Sequence, residues 1–160
     1  MADRIRVVIA DDQPLVRSAL RLILEGDPEL TVLGEAADGQ GALDAARRLR
    51  PDIILLDLHM PGRDGVWASE RISELAPDVK ILVLTAFDTD RLVASALRAG
   101  AVGFLLKDSS PEQILEAVRT AADGERPFSA AVLEQLVTTT AMKAPSRRAP
   151  GTLTAREREV

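Results

Sequence analysis

In the stretch DIILLDLHMPGRDG, residues 52–65, four consecutive aliphatic residues run directly into the carboxylate of Asp57. An unpaired carboxylate is costly to bury, so such a group is normally paired, hydrogen-bonded, bound to a metal or exposed. A strand that is aliphatic throughout is typical of a parallel sheet covered by helices on both faces. The stretch therefore predicts a buried strand that delivers Asp57 to the rim of a sheet.

The same succession of strand and helix occurs five times along the chain. Short aliphatic runs alternate with segments in which apolar residues recur every three or four positions. We expect strands at 4–10, 30–36, 52–56, 80–84 and 102–106. We expect helices at 14–26, 39–50, 66–75, 90–99 and 111–123, the second of which must stop before Pro51. This alternation predicts an α/β fold, a doubly wound five-stranded parallel sheet with helices on both faces.

Polar side chains stand where these strands end, and open parallel sheets bind ligands at that edge. They are Asp11 and Asp12 after the first strand, Asp57 after the third, Thr85 after the fourth and Lys107 after the fifth. Three acids so close together repel unless a cation joins them, and a site of oxygen ligands suits Mg2+. Thr85 and Lys107 offer donors to phosphoryl oxygens, and Asp57 is then a candidate nucleophile that forms an acyl phosphate.

Composition and charge exclude several classes of protein. The chain has 160 residues, 46% of them apolar, and no cysteine, so it has no disulfide framework, thiolate metal site or cysteine nucleophile. No segment approaches the roughly 18 apolar residues that span a membrane, and we expect a cytoplasmic protein. Residues 1–140 carry 15 Lys and Arg against 23 Asp and Glu, whereas residues 141–160 carry 5 against 2. Any contact with nucleic acid is therefore expected beyond residue 140.

Four motifs together resemble the receiver domain of two-component response regulators over residues 1–125. They are DD at 11–12, LLDLHMPGRDG at 55–65, LTA at 84–86 and GAVGFLLKD at 100–108. The resemblance implies a flavodoxin-like strand order, 2-1-3-4-5. It also implies that Asp57 takes a phosphoryl group from a sensor histidine kinase. The Mg2+ would be held by Asp12, Asp57 and the backbone carbonyl of His59, and by Asp11 through water.

The resemblance also implies a conformational switch and a regulatory output. Thr85 would follow the phosphoryl oxygen, and Phe104 would be the aromatic residue that changes rotamer on activation. Residues 126–140 are expected to form an additional amphipathic helix and residues 141–152 a linker. LTAREREV, residues 153–160, resembles the start of the helix-turn-helix output domain of LuxR-type regulators in the NarL/FixJ subfamily. We expect DNA binding only through the missing remainder of that domain, and a homodimer on phosphorylation.

Other interpretations remain open for single residues and for the function. Asp11 and Asp12 are acids beside a helix start, Lys107 has the stem of a solvated surface lysine, and Phe104 is equally well a packing residue. Gly65 is expected to permit a positive φ. The alternative function is a phosphohydrolase of the haloacid dehalogenase type, although the second Asp that such enzymes place two residues after the nucleophile is here His59. A flavodoxin-like cofactor binder is the third possibility, although this sequence has no phosphate-cradling loop after the first strand.

Overall fold

The computed structural model describes residues 4–86 and 91–123, in which five strands alternate with five helices. The strands are β1 (Ile5–Ala10), β2 (Leu30–Ala36), β3 (Ile53–Asp57), β4 (Lys80–Thr85) and β5 (Gly103–Leu106). The helices are α1 (Pro14–Glu25), α2 (Gly39–Leu49), α3 (Gly65–Leu75), α4 (Arg91–Arg98) and α5 (Pro111–Ala122). Every predicted element within these ranges is present, within one or two residues at each end.

The five strands form one parallel sheet in the order β2-β1-β3-β4-β5, which confirms the predicted fold class and strand order. The register brings the strand ends together: Ala10 pairs with Leu56, Asp57 with Leu84, and Thr85 with Leu106. Residues that end β1, β3, β4 and β5, or follow them, therefore lie along one edge of the sheet.

Helices cover both faces of this sheet. On one face, α1 and α5 contribute Leu20, Leu24, Ile114 and Val118 to an apolar cluster with alternate residues of the central strands. On the other face, buried residues of α2, α3 and α4 include Leu43, Ile72 and Val93. Every residue of β3 is buried, as its unbroken aliphatic run predicts. The covered sheet is a rigid base for the side chains at its edge.

Two strands end one residue later than predicted, and in each case the added residue belongs to the site. The predicted strands ended at residues 56 and 84, but Asp57 and Thr85 are the last residues of β3 and β4. The ladder continues this far because Asp57 pairs with Leu84 and Thr85 with Leu106. Both residues are therefore held in the sheet rather than in the loops that follow.

Side-chain caps fix where three of the helices begin. Asp38 accepts from Gly41 N at 2.7 Å before α2, and Asp64 accepts from Trp67 N at 2.9 Å before α3. Ser110 and Gln113 form a reciprocal capping box at the start of α5. The cap at Asp64 explains why α3 starts at Gly65, one residue earlier than predicted. No side chain caps α1, which begins at Pro14 after the strand end.

Several predictions lie outside the described residues. These are the additional helix at 126–140, the linker at 141–152 and the output-domain start at 153–160, and they remain predictions. Among residues 4–86 and 91–123, no helix is long and apolar enough to cross a membrane.

Candidate functional site

Asp11 is fully buried directly after β1, and hydrogen bonds fix most of its polar atoms. Its N–H donates to Ala36 O at 3.0 Å, its Oδ1 accepts from Gln13 N at 2.8 Å, and its carbonyl accepts from Arg17 Nη1 at 2.7 Å. Asp12, in contrast, is exposed. The pair therefore presents one immobilised carboxylate and one that reaches solvent.

Asp57 lies at the sheet edge as predicted. It is only 1% exposed, however, so this part of the edge is covered and not open to solvent. The chain after β3 turns back over it, with Gly65 N donating to Leu58 O at 3.0 Å. A Cβ atom on Gly65 would lie 2.5 Å from the Asp57 carbonyl oxygen. The start of α3 therefore packs directly against the backbone of Asp57. Its Oδ1 accepts one hydrogen bond, from His59 N at 3.2 Å.

Lys107 joins the two buried acids. Its Nζ lies 3.0 Å from Asp11 Oδ2, as an ion pair without hydrogen-bond alignment, and 3.2 Å from Asp57 Oδ1. Its backbone N–H donates to Thr85 O at 2.8 Å, which ties the turn after β5 to the end of β4. The ammonium is therefore a partner of the site and not a solvated surface charge.

The three carboxylates form a cluster suited to a divalent cation. One oxygen from each of Asp11, Asp12 and Asp57 lies within 4.8 Å of the others. Asp11 Oδ2 and Asp57 Oδ2 are buried and accept no hydrogen bond. Buried acceptors without donors are uncommon, and a cation is one way to satisfy them. Because all the ligands are oxygens, the cluster fits a hard cation such as Mg2+.

Burial and neighbouring charges shift the pKa values of Asp57 and Lys107. Burial, and then the charge of Asp11, raise the pKa of Asp57 above its ordinary 3.8, and Lys107 and the N–H of His59 only partly offset this. Burial lowers the pKa of Lys107, but its contacts with Asp11 and Asp57 outweigh burial and raise it above its ordinary 10.5. In the absence of a metal the ammonium is thus strongly retained, while ionisation of Asp57 is opposed.

Comparison with known proteins assigns this arrangement of acids and lysine to a family. Residues 7–119 match the response regulator receiver domain. The chain belongs to the response regulator receiver family. The nitrate/nitrite response regulator protein NarL of Escherichia coli (strain K12) is 36% identical over 155 residues, which are 96% of this chain and 72% of NarL.

Two further relatives extend this result. The uncharacterized transcriptional regulatory protein YxjL of Bacillus subtilis (strain 168) is 44% identical over 138 residues, 86% of this chain and 63% of YxjL. The signal receiver domain of the putative response regulator NarL from Mycobacterium tuberculosis is 38% identical, with a TM-score of 0.74. That match covers 78% of this chain and 100% of the solved domain. The chain thus spans about two thirds of the length of YxjL and of the Escherichia coli NarL.

The remaining predicted residues of the receiver lie on or beside the same strands. Thr85 is fully buried at the end of β4, and Phe104 is buried in β5, where it pairs with Val83. His59 is exposed, and its N–H contacts Asp57. Among the described residues the structure thus brings Asp11, Asp12, Asp57 and Lys107 into one cluster. Thr85 follows Leu84, the residue of β4 that pairs with Asp57.

Gly65 shapes the receiver's site in a way that differs from the prediction. Its expected positive φ was wrong, because the described glycines with positive φ are Gly62 at 71° and Gly100 at 123°. Gly65 is required instead by close packing, since its Cβ would also lie 2.7 Å from Leu58 Cα. A glycine after an Asp is typical of a turn, which is why a positive φ was expected. The close approach of α3 to the end of β3 has no signature in the sequence from which it could be predicted.

Arg17 is the site residue that sequence reasoning missed. Arg17 lies within α1, yet its guanidinium donates to the Asp11 carbonyl. It also donates to Oε1 of Glu35, a residue of β2, at 3.0 Å. A helical arginine in an amphipathic segment is typically a surface residue. Its contacts become visible only when the ends of β1 and β2, where Asp11 and Glu35 lie, are placed next to α1.

A depression of about 480 Å3 elsewhere on the receiver has a different chemistry. It lies where α2 and α3 end and is lined by Asp44, Arg47, Arg48, Arg50, Leu75 and Ala76. Helices of a parallel α/β sheet run opposite to the strands, so these ends lie away from the edge that holds Asp57. The depression offers mainly guanidinium groups and is not a site for a cation.

Proposed function

We propose that this receiver is a phosphorylation-controlled switch in which Asp57 accepts a phosphoryl group. The observation that carries the proposal is that Asp57 Oδ2 is buried and accepts no hydrogen bond, in a carboxylate that lies beside two other acids and whose Oδ1 is 3.2 Å from the Lys107 ammonium. A structural aspartate would have both oxygens satisfied. An acceptor left without a donor at the edge of the sheet is available to a cation or to the phosphorus of a phosphoryl group.

The transfer would proceed by attack of a carboxylate oxygen of Asp57 on phosphorus. The new bond joins that oxygen to phosphorus as an acyl phosphate. The bond that breaks, in transfer from a phosphohistidine, joins phosphorus to the imidazole nitrogen. Its electron pair stays on that nitrogen, which takes a proton from solvent. The His59 N–H and the Lys107 ammonium hold Asp57 Oδ1 in place and so orient the carboxylate toward the incoming phosphorus.

The residues present fit a bound Mg2+. Asp12, Asp57 and the backbone carbonyl of His59 would hold it directly, and Asp11 through water. When bound, the ion supplies positive charge that allows a phosphoryl dianion to approach three carboxylates. The exposure of Asp12 gives the ion a route from solvent. Asp11 is held by Gln13 and Ala36 and therefore offers Oδ2, which accepts no hydrogen bond, in a fixed direction.

Lys107 would change partner during the reaction. Before transfer its ammonium balances Asp11 and Asp57. After transfer an oxygen of the phosphoryl group would replace Asp57 as its partner, because a phosphoryl dianion carries more charge than a carboxylate. The link from Lys107 N to Thr85 O would carry this change to β4 and β5.

Thr85 and Phe104 would convert phosphorylation into a change of surface. The Thr85 hydroxyl would move to a phosphoryl oxygen, and the Phe104 ring would move into the space that it leaves. Both are buried on neighbouring strands, so such a movement requires coordinated repacking between two states.

The partners follow from the same proposal. The phosphoryl donor would be a sensor histidine kinase, and the active form would be a homodimer in the cytoplasm. The names of NarL and YxjL describe a response regulator and a transcriptional regulatory protein, which supports a transcriptional output for the whole protein. That output would bind DNA through a domain that is predicted to start at residues 153–160, after the predicted helix at 126–140 and the predicted linker at 141–152. Residues 1–140 are acidic and should not bind DNA specifically.

Beryllofluoride, a mimic of the phosphoryl group, tests the site directly. Calorimetry should show binding at one site only when Mg2+ is present, and none to Asp57→Asn. Asp44→Asn is the control, because this exposed acid lies away from the Asp57 edge and its carboxylate accepts a hydrogen bond from Gln40. Binding that persists in Asp57→Asn would contradict the proposal. Steady-state turnover of a phosphate ester would instead favour a haloacid dehalogenase-type phosphohydrolase, which none of the family matches supports.

A further inference from the structure

Arg17 occupies a position that the dipole of its own helix and a cation bound at the neighbouring carboxylates would both disfavour. It lies one turn into α1, where the helix dipole favours anions over cations, and no acid stands in the first turn. The guanidinium is also close to the carboxylates that would bind a cation, and a second positive charge there opposes that binding. A side chain with two electrostatic disadvantages is expected to have a compensating contact.

Its contacts join three elements around the two acids. Arg17 Nη1 donates to the Asp11 carbonyl at 2.7 Å, and Nε donates to Glu35 Oε1 at 3.0 Å. The Asp11 carbonyl belongs to the peptide that links Asp11 to Asp12. The N–H and Oδ1 of Asp11 are bonded to other partners, so the hydrogen bond from Arg17 to the carbonyl adds the restraint on the Asp11–Asp12 peptide itself.

Glu35 in turn fixes the guanidinium. Its Oε2 accepts from Arg21 Nη1 at 2.6 Å, so both carboxylate oxygens are held by arginines one helical turn apart. The hydrogen bond from Arg21 is the main cause of a lowered pKa of Glu35, and Arg17 adds to it. Glu35 thus stays ionised and anchors α1 to β2.

We propose that Arg17 is a positioning residue for the metal site, which fixes the Asp11–Asp12 peptide so that the two carboxylates converge on a cation beside Asp57. The proposal rests on the proposed function, because it concerns the same cation. Arg17 acts through Asp11 and touches neither the cation nor the phosphoryl group.

The sign of the change in Mg2+ affinity separates positioning from simple charge. If Arg17 acted only as a nearby cation, its removal would tighten Mg2+ binding. If it positions the acids, removal weakens binding, by roughly tenfold as for other residues that orient metal ligands. Arg21→Ala is the matched control, because Arg21 binds the same Glu35 but makes no contact with Asp11 among the described residues. Its effect should be less than about twofold, since exposed charges are screened.

The experiment is a calorimetric Mg2+ titration of the wild-type chain, Arg17→Ala, Arg17→Lys and Arg21→Ala, with the fluorescence of the single tryptophan, Trp67, used to verify folding. Arg17→Lys should also weaken binding, because a lysine keeps the charge but cannot donate in two fixed directions. Were Arg17→Ala to unfold, Arg17→Lys would decide the question alone. Wild-type affinity or tighter binding in the folded Arg17 variants overturns the positioning role. Absence of Mg2+ binding by the wild type overturns the proposed function and this inference together.

Discussion

Lys107 Nζ lies 3.2 Å from Asp57 Oδ1 and 3.0 Å from Asp11 Oδ2, so two buried carboxylates share one ammonium. The cluster retains a net negative charge, to which the exposed Asp12 adds. An excess of negative charge destabilises the metal-free fold and favours cation binding. The same imbalance therefore connects the stability of the domain to its function.

Asp57→Asn should stabilise the metal-free domain at pH 7. The amide removes a charge whose ionisation the fold opposes, while Lys107 keeps Asp11 as a partner. We expect a gain of about 1 kcal/mol in the free energy of unfolding, at the low end for buried charges because Asp12 leaves the site open to solvent. Urea denaturation followed by Trp67 fluorescence measures this gain. Asp44→Asn should change stability little, and an equal gain in that control would contradict the explanation.

The gain in Asp57→Asn should depend on pH with a defined sign. The folded state raises the pKa of Asp57 above 3.8, so it binds this proton more tightly than the unfolded state does. The stabilising contribution of the protonated carboxyl is complete below pH 3.8 and is lost as pH rises through the raised pKa. The difference between Asp57→Asn and wild type should therefore be smallest near about pH 4 and grow toward neutrality. A difference that shrinks over this range would show that the pKa is lowered instead.

Lys107→Met should destabilise the domain and make its stability more sensitive to Mg2+. The substitution keeps an apolar stem but leaves Asp11 and Asp57 without a compensating charge. A loss of about 1–3 kcal/mol is expected, less than for a fully buried pair because the Lys107 side chain is 21% exposed. Added Mg2+ should recover more stability in this variant than in wild type. Urea melts with and without Mg2+ provide the comparison, and Lys80→Met at the far end of β4 is the control. Equal Mg2+ responses would exclude Lys107 as the charge that Mg2+ complements.

Gly65→Ala and Gly62→Ala should differ in their loss of stability, because an added Cβ atom would clash with backbone atoms at Gly65 but not at Gly62. A Cβ on Gly65 would lie 2.5 Å from Asp57 O, and both atoms belong to packed elements. A Cβ on Gly62 meets nothing within 4 Å, although its φ of 71° disfavours an L-residue. We expect Gly62→Ala to cost about 1 kcal/mol and Gly65→Ala about twice that or more, with weakened Mg2+ binding. The predicted order of the two losses is the test, and a reversed order would disprove close packing at Gly65.

Beryllofluoride with Mg2+ should change hydrogen exchange mainly over residues 91–123, which contain β5, α4 and α5. The physical reason is that Thr85 and Phe104 lie next to these elements and repack together. Thr85→Ala should reduce the change while leaving beryllofluoride bound. Uniform protection along the chain would count against a localised switch.

The sequence carries much of this fold in local patterns. Aliphatic strands, helical periodicity and the caps at Asp38, Asp64 and Ser110 are local signals, and the predicted elements agree with the structure within one or two residues. The sheet edge could also be inferred, because parallel strands align their ends. The contacts of Arg17 and the packing of Gly65 depend on distances between separate elements, so no local pattern encodes them. The burial of Asp57 was missed for the same reason.

The most direct test of the central claim is incubation with acetyl phosphate, followed by mass spectrometry of the intact chain and of its peptides. The proposed mechanism predicts addition of one phosphoryl group at Asp57, in the presence of Mg2+ but not of a chelator, and no addition to Asp57→Asn. Phosphoryl addition that survives Asp57→Asn, or that proceeds fully in chelator, would contradict the assignment of Asp57 as the Mg2+-dependent acceptor.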